Sequence, residues 1–335
     1  MKLNRAASLF LSIALLASVV VGYATTASAA PFAKAIGYWT QARLDSAQPI
    51  ELVVDAKTGI GKIQVNPAAG KAGGSTSTPG VVKTTDWPQG SPIAQTAVGK
   101  VFFSVGVDNY VCSGALATDS LPGRAIVLTA GHCVWDDVSG GFVRNFAFFP
   151  NYDSGDRTAW IATSLVARKE FTDQTTFNNI ALANDFAFAV LTPESGQSYL
   201  PDLGYPVNNF FKNSYDLDVN GFAAKSISYA FGYPQAKPFN GLTLKYAGSP
   251  IFVDTRTNTT WGMTSSMTGG ASGGPWLSNG TSTTVNAVSG KLSSLNSYKY
   301  SNDSTKMYGP FFTDRTTATF NAAKTTPVGN LIVTN

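Results

Sequence analysis

The stretch Thr268-Gly-Gly-Ala-Ser272-Gly-Gly-Pro275 sets a serine among glycines, and Leu128-Thr-Ala-Gly-His132-Cys133 holds the single histidine of the 335-residue chain. A serine hydroxyl is a poor nucleophile until a neutral imidazole accepts its proton. A serine in a glycine-rich loop and a histidine directly after an apolar strand therefore indicate nucleophilic catalysis. Each residue alone is a weak signal, because glycine-rich serine loops and isolated histidines are common.

The chemistry requires a third side chain, because a buried carboxylate must hold the imidazole in the correct tautomer. The stretch Asn184-Asp185-Phe-Ala-Phe-Ala-Val-Leu191 offers Asp185 at the start of an apolar strand. We therefore expect Asp185 to be the third residue, with three other aspartates as its rivals: Asp136, Asp137 and Asp173.

The histidine and serine stretches resemble the "TAGHC" and "GxSGGP" motifs of the trypsin-like (chymotrypsin-fold) serine peptidases, in the same order. The likeness runs from about Val101 to Pro310 and is strongest to secreted microbial members. It implies an all-β fold of two six-stranded antiparallel β-barrels packed together, with a catalytic triad of His132, Asp185 and Ser272 between them. The backbone N–H groups of Gly270 and Ser272 are expected to form the oxyanion hole, and glycine at 270 permits the peptide orientation that this needs.

Composition agrees with an all-β chain. Charged residues make up 13% of the sequence, and 32 residues are glycine. Short runs of β-branched and aromatic residues alternate with turn residues from Val101 onward, a pattern typical of a sandwich or barrel. Only the tail, Asp314 to Lys324, is predicted to be helical, with Asp314 as its N-cap.

The N-terminus predicts export. Lys2 and Arg5 precede an apolar run from Ala7 to Val21, and Ala27-Ser28-Ala29 follows as a small-residue cleavage pattern. A transmembrane anchor is the competing interpretation, but the apolar run is too short for it. We expect residues 1–29 to be a signal peptide and the protein to be secreted and extracellular.

These patterns divide the chain into four predicted parts. After the signal peptide, residues 30–90 are interpreted as a propeptide and linker, because Asn66 to Gly80 is too poor in apolar residues to order itself. Residues 91–200 are predicted to form the N-terminal β-barrel, and residues 201–335 the C-terminal β-barrel and terminal helix. The processed enzyme is expected to start between residues 80 and 98.

The two cysteines, Cys112 and Cys133, are predicted to form one disulfide in an exported chain. Such a crosslink contributes about 3 kcal/mol in the chain-entropy model. We find no metal or cofactor motif, and the net charge of +4 implies no nucleic-acid or membrane partner. The expected partners are protein or peptide substrates, and the expected state is a monomer.

The resemblance also suggests the substrate pocket. Trypsin-like members that cut after basic residues have an aspartate six residues before the serine, where this chain has Ser266, followed by Met267 and Thr268. The motif Ala287-Val288-Ser289-Gly290 resembles the strand that binds the substrate backbone. Glutamate-specific relatives have a histidine where this chain has Val288, so an acidic side chain before the cleaved bond is also disfavoured. An uncharged, apolar or aromatic side chain is therefore expected there, unless a lysine or arginine from a distant loop lines the pocket and inverts the preference.

One departure from the family concerns activation. Many animal members have an aspartate directly before the serine that pairs with the new N-terminus, whereas this chain has Ala271. Activation here therefore cannot use that ion pair, and a propeptide must control the enzyme by another mechanism.

Other hydrolase folds fit the sequence less well. The loop also fits the nucleophile elbow of α/β-hydrolases, but that fold needs a histidine after the serine and none follows Ser272. The subtilisin order, with Asp86 or Asp108 as the acid, would need helices that the sequence lacks. Two alternatives stay open: a catalytically inactive homologue that acts as a binding protein, and a secreted esterase with the same triad.

Overall fold

The computed structural model describes residues 37–65, 81–88, 92–119, 124–152, 158–198, 213–278, 290–325 and 328–334. The predicted signal peptide and the Asn66–Gly80 linker lie outside these described residues, as do Val288 and Ser289.

The described residues contain twenty strands, in chain order: β1 (Gln48–Val54), β2 (Gly61–Val65), β3 (Val82–Asp86), β4 (Val98–Val105), β5 (Asp108–Ala117), β6 (Ala125–Thr129), β7 (Trp135–Asp136), β8 (Gly141–Phe142), β9 (Arg144–Pro150), β10 (Thr158–Arg168), β11 (Ala187–Ser198), β12 (Ile227–Gly232), β13 (Lys245–Pro250), β14 (Phe252–Val253), β15 (Thr260–Thr264), β16 (Pro275–Ser278), β17 (Lys291–Leu295), β18 (Tyr298–Tyr300), β19 (Asp303–Pro310) and β20 (Leu331–Val333).

Helices in the same residues are few and short: α1 (Gln41–Ser46), α2 (Pro92–Ala97), α3 (Lys169–Thr172), α4 (Asn179–Ala183) and α5 (Asp314–Thr325). A 3₁₀ turn covers Gly131–Cys133. Within the described ranges, a membrane-spanning helix is ruled out by length and apolarity.

Six strands close the first barrel. Their order is β5-β4-β9-β10-β11-β6, and β6 pairs back with β5. The β4–β5 hairpin turns at Gly106, whose φ of +59° lies in the left-handed region that glycine tolerates. All five residues of β6 are buried, because its apolar side chains meet the barrel interior on one face and other packed elements on the other. Closure leaves no unpaired edge in this barrel.

The second half of the fold combines two groups of strands. One is a five-stranded sheet in the order β17-β16-β12-β13-β3, and the other is the run β14-β15-β19-β18. Side-chain hydrogen bonds join them, from Ser294 Oγ to the Pro310 carbonyl (2.8 Å) and from the Thr264 N–H to Ser249 Oγ (2.9 Å). The prediction of an all-β chymotrypsin-like double barrel is confirmed.

The predicted C-terminal helix is also present, as α5. It packs on the first barrel, where the Phe320 ring lies 5.1 Å from that of Phe188. Asp314 is the first helical residue rather than the cap, because the carbonyl of Thr313 already accepts the N–H groups of Thr316 and Thr317.

The N-terminal segment is part of the sheet that connects the two halves. β1 pairs in parallel with β18 and, through Gln48 and Pro49, with β5 of the first barrel. β2 folds back antiparallel on β1. Further along, β3 pairs with β13, and the buried Trp87 ring packs edge-on against Phe231. The chain before residue 90 thus contributes strands to both halves.

Candidate active site

The histidine sits on a covalently fixed turn. β6 ends at Thr129, and the 3₁₀ turn Gly131–Cys133 follows directly. The Cys112–Cys133 disulfide, predicted from the sequence, ties this turn to β5. Space at Gly131 is tight, because a Cβ there would lie 3.0 Å from Oδ1 of Asp185. The turn therefore brings the backbone of His132 against the Asp185 carboxylate.

Asp185 holds His132 at two points. Its Oδ1 accepts the backbone N–H of His132, and its Oδ2 lies 2.8 Å from Nδ1 of the ring, with 2.8 Å for the backbone bond as well. Both side chains are fully buried. The carboxylate favours the tautomer with the proton on Nδ1, which leaves Nε2 as a proton acceptor. Nε2 is buried and has no hydrogen-bond partner among the described residues.

Two of the three rival aspartates are engaged elsewhere. Asp136 accepts hydrogen bonds from Ser139, and Asp173 forms an exposed ion pair with Lys169. Asp137 lies at the surface, and the partial loss of hydration around its carboxyl group raises its pKa. Among the described residues, Asp185 is therefore the carboxylate in contact with the His132 ring.

The Ser272 loop is shaped by glycines with positive φ. Gly270 has a φ of +98°, and a Cβ at this position would lie 2.9 Å from the Tyr233 carbonyl. Gly273 has a φ of +82°, and its Cβ would clash with Thr129 at 2.3 Å. L-residues rarely adopt this backbone, so both positions require glycine.

Contacts of the serine itself place it beside the histidine turn. The Ser272 carbonyl accepts the N–H of Ser113 at 2.7 Å and lies 3.8 Å from Sγ of Cys133. Ser272 is buried, with 5% of its surface exposed. The three predicted residues thus lie on adjoining loops at the junction of the two halves.

The N–H of Gly270 is occupied by the N-terminal segment. It donates to the carbonyl of Ile50 at 3.0 Å, and the Gln235 side chain donates to the carbonyl of Ala47 at 2.7 Å. A peptide carbonyl from β1 therefore binds the amide that the sequence predicts for the oxyanion hole.

Two residues of this site were not identified from the sequence. The Ser297 hydroxyl donates to Oδ2 of Asp185 at 2.5 Å. Lys299, two residues further on β18, is 4% exposed, and its Nζ donates to the carbonyls of Ser265 (3.4 Å) and Ser304 (2.8 Å). Neither residue lies in a recognisable local motif. Ser297 contacts Asp185, which is distant in sequence, and Lys299 contacts Ser265 and Ser304, the second of which the β18–β19 turn brings close.

The residues expected to line the pocket are distributed as follows. The Ser266 N–H donates to Oγ1 of Thr84, and Oγ1 of Thr268 donates to the carbonyl of Ala236. Met267 is fully buried. Gly290 directly precedes β17, while its predicted companions Val288 and Ser289 are not described. The lining of the pocket by these six residues stays a prediction.

Cys112, His132 and Cys133 also place three potential metal-ligand atoms within 4.8 Å of one another. The two sulfurs are joined to each other in the disulfide, so neither is a thiolate that could bind zinc.

Comparison with known proteins identifies the family. Neither a family model nor a curated protein matches the sequence. Among solved structures, the thermostable serine protease AL20 from an extremophilic microorganism is 33% identical over 70% of this chain and 100% of that one, with a TM-score of 0.57. The protease Anisep from Arthrobacter nicotinovorans is 32% identical over 72% of this chain and 100% of that one, with a TM-score of 0.58.

A Glu endopeptidase structure shares the fold at 17% identity and a TM-score of 0.51, over 75% of this chain and 99% of that one. The chain belongs to the trypsin-like (chymotrypsin-fold) serine proteases.

Proposed function

We propose that this protein is a secreted serine endopeptidase that hydrolyses peptide bonds through an acyl-enzyme, with His132, Asp185 and Ser272 as its triad. One observation carries the proposal: the buried carboxylate of Asp185 holds both Nδ1 and the backbone N–H of His132. A binding protein without activity has no use for an imidazole fixed in this way, which favours the enzyme over the inactive homologue.

In the proposed reaction, Nε2 of His132 takes the proton of the Ser272 hydroxyl as Oγ attacks the substrate carbonyl carbon. The resulting imidazolium is stabilised by Asp185, which stays ionised. His132 then passes the proton to the leaving amine, and the acyl-enzyme forms. A water molecule, deprotonated by the same Nε2, releases the acid and restores the serine.

The developing oxyanion would bind the N–H groups of Gly270 and Ser272. Support comes from the φ of Gly270 and from the Ile50 carbonyl, which already accepts its N–H at 3.0 Å. Such a donor is worth about 3 kcal/mol in the transition state.

The same contact supports a precursor form. In our proposal, residues 1–29 direct export, and β1 then acts as part of a propeptide that occupies the catalytic cleft until the chain is cut in the linker. With Ala271 before the serine, activation would remove the occupant instead of creating an ion pair. The processed enzyme would act as an extracellular monomer on protein or peptide substrates.

Kinetic comparison of peptide and ester substrates tests the proposal. Wild-type enzyme cut in the linker should hydrolyse an internal peptide bond, and both Ser272→Ala and His132→Ala should reduce kcat by about 10⁶. Hydrolysis of esters alone would identify an esterase. Absence of all hydrolysis from the folded, cut protein would identify an inactive homologue.

A further inference from the structure

The N-terminal segment places one acidic side chain in the cleft. Ile50 provides the carbonyl that binds the Gly270 N–H, and Glu51 is the next residue. Glu51 is 9% exposed, and its Oε1 has no hydrogen-bond partner among the described residues. Burying a carboxylate in this way is costly without a cation nearby, because the group loses its hydration.

The register between β1 and β18 identifies the cation. Leu52 and Val54 pair with Tyr298 and Tyr300, and all four belong to one apolar cluster. Successive strand residues point to opposite faces, so Glu51 shares the other face with Lys299, the partner of Val53.

Lys299 is an unusual residue for the interior. Its Nζ contacts the carbonyls of Ser265 and Ser304, and no carboxylate among the described residues lies within ion-pair distance of it. Burial lowers the pKa of Lys299 to about 8, while the negative charges of Glu51 and Asp303 act in the opposite direction. The ammonium group is thus held by neutral oxygens and lacks a close counter-ion.

The position of Lys299 connects it to the substrate pocket. Ser265, whose carbonyl it contacts, directly precedes Ser266, the residue expected at the pocket floor. Lys299 also lies two residues after Ser297, which binds Asp185. The Lys299 ammonium group thus contacts the residue next to the expected pocket floor, on the strand that follows Ser297.

We propose that Lys299 is a specificity-determining residue that selects an acidic substrate side chain in the pocket whose expected floor is Ser266. This inference rests on the proposed peptidase function. When the N-terminal segment leaves, a buried cation remains, and a substrate carboxylate is the group that compensates it best. A substrate lysine or arginine would meet a like charge in a low-dielectric site. The expectation of an uncharged side chain is thereby inverted.

The test uses the full-length protein, cut in the 66–80 linker with both pieces present, and peptides that differ only in the residue before the cleaved bond. Glu is compared with its uncharged isostere Gln, and with Leu and Lys. Wild type should favour Glu over Gln by about tenfold or more in kcat/KM. Lys299→Met should bring this ratio to about one, and Lys299→Arg should retain a preference for Glu.

Lys225→Met serves as the matched control, because it removes the same charge from an exposed position in the C-terminal half. Its Glu-to-Gln ratio should equal that of wild type.

The outcomes separate this inference from the proposed function. If an organophosphorus fluoride labels Ser272 but wild type cuts after Gln or Leu as fast as after Glu, the role of Lys299 is refuted and the peptidase stands. An unchanged ratio in Lys299→Met refutes it equally. If Ser272 is not labelled and no peptide is cut, both proposals fail. The wild-type ratio needs no variant, so a poorly folding Lys299→Met leaves the test intact.

Discussion

The Ser297 hydroxyl donates to Oδ2 of Asp185 at 2.5 Å, the same oxygen that contacts Nδ1 of His132. The carboxylate is thereby fixed from both barrels, because His132 follows a strand of the first and Ser297 precedes β18 in the second half. The alignment of the imidazole depends on how these two halves pack.

Removing this hydroxyl should weaken catalysis without abolishing it. Ser297→Ala deletes one hydrogen bond to a buried charged group, worth about 1.5–3 kcal/mol, so kcat should fall by about 10- to 100-fold. Ser293→Ala removes a similar hydroxyl that bonds Ser278 instead, and is the control. Equal kcat values for Ser297→Ala and wild type would show that Asp185 needs no second donor.

Asp185→Asn should lower kcat by about 10⁴, because an amide cannot hold the imidazole in the same tautomer or stabilise its charge. Thermal unfolding should still show a cooperative transition. Asp136→Asn, which alters a carboxylate bound to Ser139, should retain wild-type kcat. The reverse pattern would assign the third catalytic residue to Asp136.

The processed enzyme should begin before Val82. β3 pairs with β13, the Ser266 N–H donates to Thr84, and Trp87 packs against Phe231, so a cut after residue 88 would remove part of the second barrel. Of the range 80–98 expected from the sequence, the structure favours the early end. N-terminal sequencing of active enzyme checks this, and a start beyond residue 88 would contradict it.

Reversing the charge of Glu51 should open the precursor. In the uncut chain, Glu51→Lys would set a second cation beside Lys299 and displace β1 from the cleft. The rate at which an organophosphorus fluoride reacts with Ser272 should rise by about tenfold or more. Gln64→Lys introduces a lysine on exposed β2 and should leave the rate unchanged. A slower reaction of Glu51→Lys would mean that β1 does not block the site.

The preference for an acidic substrate should be lost at alkaline pH. Lys299 is charged below its pKa of about 8, so the Glu-to-Gln ratio should be high near neutral pH and should fall as the pH rises through about 8. The other charges that act on Lys299 are Glu51 and Asp303. The charge of Glu51 raises the pKa of Lys299, so this pKa falls when Glu51 leaves with the N-terminal segment. The preference for Glu should therefore be lost at a lower pH in the free enzyme. A ratio that is constant to pH 10 would contradict the role of Lys299.

Much of the fold was predictable because its signals are local. The histidine and serine stretches and the C-terminal helix each follow from neighbouring residues, and the disulfide follows from the count of two cysteines in a chain predicted to be exported. Ser297 and Lys299 were not found, because their roles depend on contacts with Asp185 and Ser265 that only the packed barrels create. Likewise, the sequence separates β1 from the barrels by a linker, and nothing local indicates that its Ile50 carbonyl would bind the Gly270 N–H.

The most direct test of the central claim is to label the linker-cut protein with an organophosphorus fluoride and map the modified peptide. The reagent reacts at useful rates only with a serine activated by a base. We expect stoichiometric label on Ser272 in wild type and loss of that label in His132→Ala. Label on another serine, or an unlabelled Ser272 in folded and cut protein, would contradict it.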